Sequence, residues 1–145
     1  METLYDESIV VATGSRNPLA RRRKIDLTEL IDEPWTLAPF DNFASVLALE
    51  AFRTRGLEPP RMVLITQSLN MRNFLLASGR FVTALPGYAL RFQRRPHTIA
   101  TLAVSLPDKR WPVGIVALRN RSLSPLAQLF VDALRAVCKS VPKGK

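Results

Sequence analysis

Catalysis needs side chains that can attack, exchange protons or hold a metal, and here these are few. The chain has 145 residues, with one histidine, His97, and one cysteine, Cys138. A thiolate nucleophile needs a base or a positive charge beside it. Cys138 instead falls on an i, i+4 stripe with Leu126, Phe130 and Leu134, where packing is its expected role. His97 follows Arg94-Arg95-Pro96, a loop composition, and no spacing brings it to Cys138. One Cys and one His do not make up a zinc ligand set. Asp26, Glu29, Asp32 and Glu33 cluster in sequence. A general acid and base need carboxylates in divergent environments within a cleft. These four flank a short amphipathic turn and read as a solvated face. The chain has no GxGxxG, P-loop or nucleophile elbow. The expectation is a protein that is not an enzyme and uses no cofactor and no metal.

The elements that would position any binding group can be read from periodicity and punctuation. Leu4 to Ala12 reads as a strand that Gly14 and Pro18 end. Residues 26–31 make one or two helical turns with Asp26 as cap, and Pro34 stops them. Trp35 to Ala38 is a short strand. Pro39-Phe40-Asp41-Asn42 then feeds a helix that Asp41 or Asn42 caps. It runs to about Arg55 with Ala48, Leu49 and Phe52 on one side, and Gly56 is its natural C′ residue. Arg61 to Ile65 is a strand with Val63, Leu64 and Ile65 as a buried run. Ser68 caps a second helix whose face is Met71, Phe74, Leu75 and Ser78, and Gly79 ends it. Phe81 to Leu85 is a strand, and Pro86-Gly87 opens a short helix or turn. Thr98 to Ser105 and Pro112 to Arg119 are two more strands. Ser124 and Pro125 open the last helix. Strands alternating with helices imply an α/β fold with a largely parallel sheet.

Composition narrows the setting. Hydrophobic residues are 47% and charged residues 23%, an ordinary balance for a soluble domain. No apolar run reaches the roughly 18 residues of a membrane span. The acidic start, Met1 to Glu7, is unlike a secretion signal. A lone cysteine fits a reducing cytoplasm. The net charge is +9, spread over 16 arginines and five lysines. Its densest runs, 21–24 and 91–95, neither alternate with aromatics nor lie on a recognition helix. Solvated loops are the expectation for them, not a nucleic-acid patch.

The chain also resembles a known family along nearly all its length. Leu4 to Ala12 resembles the strand leading out of the first lobe of LysR-type effector domains. Asn17-Pro18-Leu19-Ala20 is similar to the His-Pro-Leu-Ala segment after it, with Asn in place of His. Leu27-Thr28-Glu29-Leu30 with Glu33-Pro34-Trp35-Thr36-Leu37 resembles the passage into the second lobe. The stretch 78–86, Ser-Gly-Arg-Phe-Val-Thr-Ala-Leu-Pro, is similar to the glycine-rich run that ends in Leu-Pro, with Phe81 where many members have a second glycine. Residues 119–127 resemble the approach to the closing helix. The resemblance implies a periplasmic-binding-protein-like (type 2) effector domain. Its second lobe, about 25–96, would be complete. Residues 1–24 and 97–145 would be crossing segments and a remnant of the first lobe. Against the family's pattern, the winged helix-turn-helix is absent from this chain.

In clefts of this type the second lobe offers the loops at the C-terminal ends of its strands and the helix N-termini that follow. These favour anions. The candidate ligand-binding residues are therefore Pro39, Phe40, Asp41 and Asn42 in one loop and Thr66, Gln67 and Ser68 in another. Phe40 would wall an apolar or aromatic effector, and Thr66, Gln67 and Ser68 would donate hydrogen bonds. Plain capping and loop chemistry is the competing reading of each. The function implied is a small-molecule sensing and oligomerisation module of a LysR-type transcriptional regulator. It would take an anionic effector, form a homo-oligomer, and bind no specific DNA and no membrane by itself. The alternative is a free-standing ligand-binding or interaction domain derived from such a regulator.

Overall fold

The computed structural model describes residues 1–91, 98–107, 109–118 and 122–139. His97, Arg94 and Arg95, and residues 119–121 lie outside them. The chain divides into two units: residues 9–109, and residues 1–8 with 110–145.

The larger unit is built on the sheet order β3-β2-β4-β1-β5. Its strands are the second half of β1 (Glu2–Gly14), β2 (Trp35–Leu37), β3 (Met62–Ile65), β4 (Val82–Pro86) and β5 (Ile99–Thr101). β2 is parallel to both β3 and β4, whereas β1 runs antiparallel to β4 and β5. The alternation of strands and helices implies a largely parallel sheet, an expectation that β2, β3 and β4 meet and the three pairings of β1 do not. The sheet as a whole is mixed, because β1 pairs in the opposite sense.

Local chemistry sets the element ends. Asp26 caps the 3-10 turn Leu27–Leu30 in a capping box: its side chain accepts from Thr28, and Glu29 accepts from the Asp26 N–H. Asn42 caps α1 (Phe43–Thr54), and Ser68 caps α2 (Leu69–Ala77). Gly56 and Gly79 follow these helices at φ +68° and +75°, the left-handed conformation expected of a C′ glycine. A short α3 (Tyr88–Arg91) follows β4.

Trp35 is fully buried. Its indole donates to the Leu30 carbonyl at 2.7 Å, and its ring meets Phe52 edge-on with centroids 5.6 Å apart. A second cluster joins Ala12, Leu76, Leu85 and Ile99, with Ala89 and Leu90 of α3 against it.

Three expectations about faces are corrected. Val63 and Ile65 are exposed, because β3 is the sheet's edge and pairs with β2 alone among the described strands. On α1 the buried positions include Leu47, Ala48 and Phe52, and Leu49 is only half-buried. On α2 the inward residues are Arg72 and Leu76, whereas Met71 and Phe74 are exposed.

The smaller unit pairs the first half of β1 with β6 (Arg110–Ile115), antiparallel, from Glu2↔Ile115 to Ser8↔Arg110. It also holds α4 (Pro125–Lys139), where Arg135 forms a two-pronged ion pair with Glu2 at 2.7–2.8 Å. The stripe Leu126, Phe130, Leu134 and Cys138 exists, but Leu126 and Phe130 are exposed. Val131 is the buried residue of this helix.

Candidate functional site

Adjacent parallel strands end side by side, so the loops leaving them share one edge of the sheet. Leu37 is opposite Ile65, and the Thr66 N–H donates to the Leu37 carbonyl at 2.9 Å. This brings 39–42 and 66–68, separated by more than twenty positions in sequence, to the same place.

Each loop is shaped by its own polar groups. The Asn42 N–H donates to the Pro39 carbonyl at 2.9 Å, and the Asn42 side chain accepts from the Ala44 N–H at 3.0 Å. Ser45 reaches back from α1 to donate to the Ala38 carbonyl. In the other loop the Thr66 hydroxyl accepts from the Ser68 N–H at 3.1 Å, and the Ser68 hydroxyl accepts from the Met71 N–H at 3.2 Å. The outcome for the seven candidates is mixed. Asn42, Thr66 and Ser68 act as caps and loop braces. Phe40, Asp41 and Gln67 are exposed, and Pro39 is half-buried.

Two helices thus follow the C-terminal ends of two adjacent parallel strands. The N–H groups of a first helical turn lack partners within the helix, and the helix dipole adds positive potential. The link from β2 to β3 runs one way along the sheet, and the link from β3 to β4 runs back across β2. Right-handed crossovers in opposite directions send α1 and α2 to opposite faces of the sheet. Strand-end loops and helix starts of this kind can meet a small polar or anionic molecule. Phe40 and Phe43, both about half exposed, add apolar surface to the first loop and the start of α1.

Two neighbours of this edge were not read from the sequence. Phe43 is the residue after the cap, and a second aromatic three positions from Phe40 was the available signal. Arg72 lies one turn inside α2, only 9% exposed, and its Nε–H has no hydrogen-bond partner. Burial holds its pKa below the ordinary arginine value, against a smaller opposing influence of Tyr88. Its spacing of four from Leu76 was the available signal.

Among the described residues no three His, Cys, Asp or Glu side chains could together hold a metal ion. No helix among them is long and apolar enough to cross a membrane.

Known proteins of similar sequence and fold are consistent with one another. The transcriptional dual regulator GltC of Bacillus subtilis is 24% identical over 132 residues, 89% of this chain and 42% of its own length. The HTH-type transcriptional regulator GbpR of Azospirillum brasilense is 29% identical over 139 residues, 93% of this chain and 40% of its own. The chain therefore spans about two-fifths of the length of the curated relatives it matches. Among solved structures, the regulatory domain of CcmR from Synechocystis PCC6803, in complex with 2-PG, superposes with a TM-score of 0.75 at 25% identity. The match covers 97% of this chain and 67% of that one. The effector binding domain of QuiR, in complex with shikimate, gives a TM-score of 0.67 at 18% identity, covering 95% and 64%. The family described as LysR substrate binding domain matches residues 1–139. The chain belongs to the LysR substrate-binding domain family, with the periplasmic-binding-protein-like α/β fold of its effector domains.

Proposed function

We propose that this chain senses a small-molecule effector for a LysR-type transcriptional regulator, and that the effector is anionic. The observation that carries the reading is that two capped helix N-termini follow the adjacent C-terminal ends of β2 and β3. A negative group there meets backbone N–H donors and the positive ends of two helix dipoles. The net charge of +9 favours the approach of an anion. The CcmR regulatory domain, similar along 97% of this chain, was solved with 2-PG bound. On this reading residues of about 25–96 form the second lobe of an effector domain. Residues 1–24 and 97–145 are crossing segments and part of the first lobe. The protein works in the cytoplasm by binding, not by catalysis.

A thermal-stability screen of small carboxylates and phosphate esters tests this. Ligands that bind the folded state raise the melting temperature in proportion to the logarithm of their concentration. Phe40→Ala and Gln67→Ala alter exposed positions, so they should weaken the best hit while leaving the unliganded melting temperature close to that of the parent. Hits that are indifferent to both substitutions would place the ligand elsewhere.

A second role follows from α4. Leu126 and Phe130 are 78% and 64% exposed, on a helix that buries Val131 alone. An exposed apolar face of this kind favours association, so the module also serves to bring chains together.

A further inference from the structure

Arg72 occupies a position that an aliphatic side chain should fill. It shares the inward side of α2 with Leu76, which is fully buried against Ala12, Leu85 and Ile99. An arginine held at 9% exposure ordinarily has a carboxylate or several carbonyl oxygens around its guanidinium. Here the Nε–H is buried and unpaired, and no described acidic side chain pairs with the group. Each residue of a helix lies over the turn that precedes it. The Arg72 side chain is therefore directed toward the first turn of α2, the turn that Ser68 caps. Ala89 and Leu90 pack against the Leu76 cluster one turn further along. This places α3, which begins at Tyr88, on the side of α2 that carries Arg72.

We propose that Arg72 is the charge-reading residue of the effector site, pairing with the carboxylate or phosphate group of a small molecule seated at the N-terminus of α2. This rests on the effector-sensing reading above and sharpens it. The helix N-terminus alone would attract any anion weakly. A planar guanidinium with an unused donor adds a directional, charge-assisted contact suited to an oxyanion. The contact also offsets the cost of the empty state, in which the buried Nε–H has no partner and no described carboxylate pairs with the guanidinium. A neutral effector would leave that cost in place.

Inorganic phosphate and acetate serve as probes on the full chain. Titrations followed by arginine side-chain NMR should show the Arg72 Nε–H resonance shifting with saturation, and the melting temperature rising with probe concentration. The resonance is assigned by its disappearance in Arg72→Leu. Arg72→Leu and Arg72→Met should each weaken the tighter-binding probe at least tenfold. Both fit an apolar position, so both should fold, with an unliganded melting temperature at or above that of the parent. Arg72→Lys should fall between, because it keeps the charge and loses the fork. Comparing the two probes tells a phosphate site from a carboxylate site. Affinities within twofold of the parent in Arg72→Leu, or an Nε–H that stays still, would overturn the proposal. Tight binding of neutral ligands with neither probe binding would also overturn it, and would leave small-molecule sensing standing without an anionic effector. No ligand of any charge binding would remove both.

Discussion

A Cβ built on Gly14 would lie 2.0 Å from the carbonyl oxygen of Leu76. The end of β1 passes so close to the last turn of α2 that only a hydrogen fits between them. The obstacle is backbone, and that carbonyl is already held by the Gly79 N–H at 2.8 Å. Asn17 fastens the same corner, its side chain donating to the Gly79 carbonyl and accepting from the Leu19 N–H.

Gly14→Ala must therefore push a strand and a helix apart. The expected loss is roughly 3 kcal/mol, the upper range for overpacking a tight site. Urea unfolding of the purified variant measures it. A loss below about 0.5 kcal/mol, the range of neutral surface changes, would show that this corner yields.

The charged groups predict how stability responds to acid. Asp26 is held below its ordinary value of 3.8, first by the Thr28 N–H and then by the Thr28 hydroxyl. Glu29 is held below 4.5, first by Arg22 and then by the Asp26 N–H. For carboxylates that are easier to ionise when folded, the stabilisation is fully present above the unfolded values. It is lost as pH falls through the lowered folded ones. Stability should thus be level between about pH 7 and 5 and decline below about 4.5. These groups are exposed, so solvent keeps the effect modest. Asp26→Asn with Glu29→Gln should flatten the acid limb of a plot of denaturation midpoint against pH. An unchanged acid limb would assign the loss to other carboxylates, such as Glu2 beside Arg135 and Glu50 beside Lys109.

Which features were legible in the sequence depends on the range of the interactions behind them. Asp26, Asn42, Ser68, Gly56 and Gly79 were readable because caps and left-handed glycines are settled within a few residues. Val63 and Ile65 were misjudged because their composition suits a central strand as well as an edge, and only pairing distinguishes the two. The buried face of α2 was misjudged because hydropathy sends an arginine outward, yet Arg72 points inward in place of Met71 and Phe74. The two candidate loops were each visible as strand-to-helix passages. Their adjacency was not, since it follows from Leu37 opposite Ile65, a long-range pairing.

DNA binding by this chain alone should be weak and nonspecific. The cations at 21–24 lie on a 3-10 turn and the loop after it, not on a recognition helix. Fluorescence anisotropy with two unrelated duplexes should give matching affinities that fall steeply with salt. Nanomolar preference for one duplex at physiological salt would refute this.

Self-association is the outcome expected from the exposed apolar face of α4. Leu126, Leu129, Phe130 and Val137 are between 54% and 78% exposed, on a helix only fifteen residues long. Leaving such side chains in water forfeits about 1.5–3 kcal/mol each relative to full burial. Covering several of them can offset the entropy lost on joining two chains. A two-fold contact is the simplest arrangement, because one self-complementary face then covers its own copy. Sedimentation of the purified chain at high micromolar concentration should show a dimer or larger species. Phe130→Asp and Leu126→Lys alter exposed positions, so they should shift the chain to monomer while leaving its circular dichroism and melting behaviour intact. The Arg135–Glu2 pair within the same unit makes a control. Arg135→Gln removes a surface charge without touching the apolar face, and should leave the oligomer in place at moderate salt. A parent chain that sediments cleanly as a monomer would show that the face is tolerated in water and has no role in association.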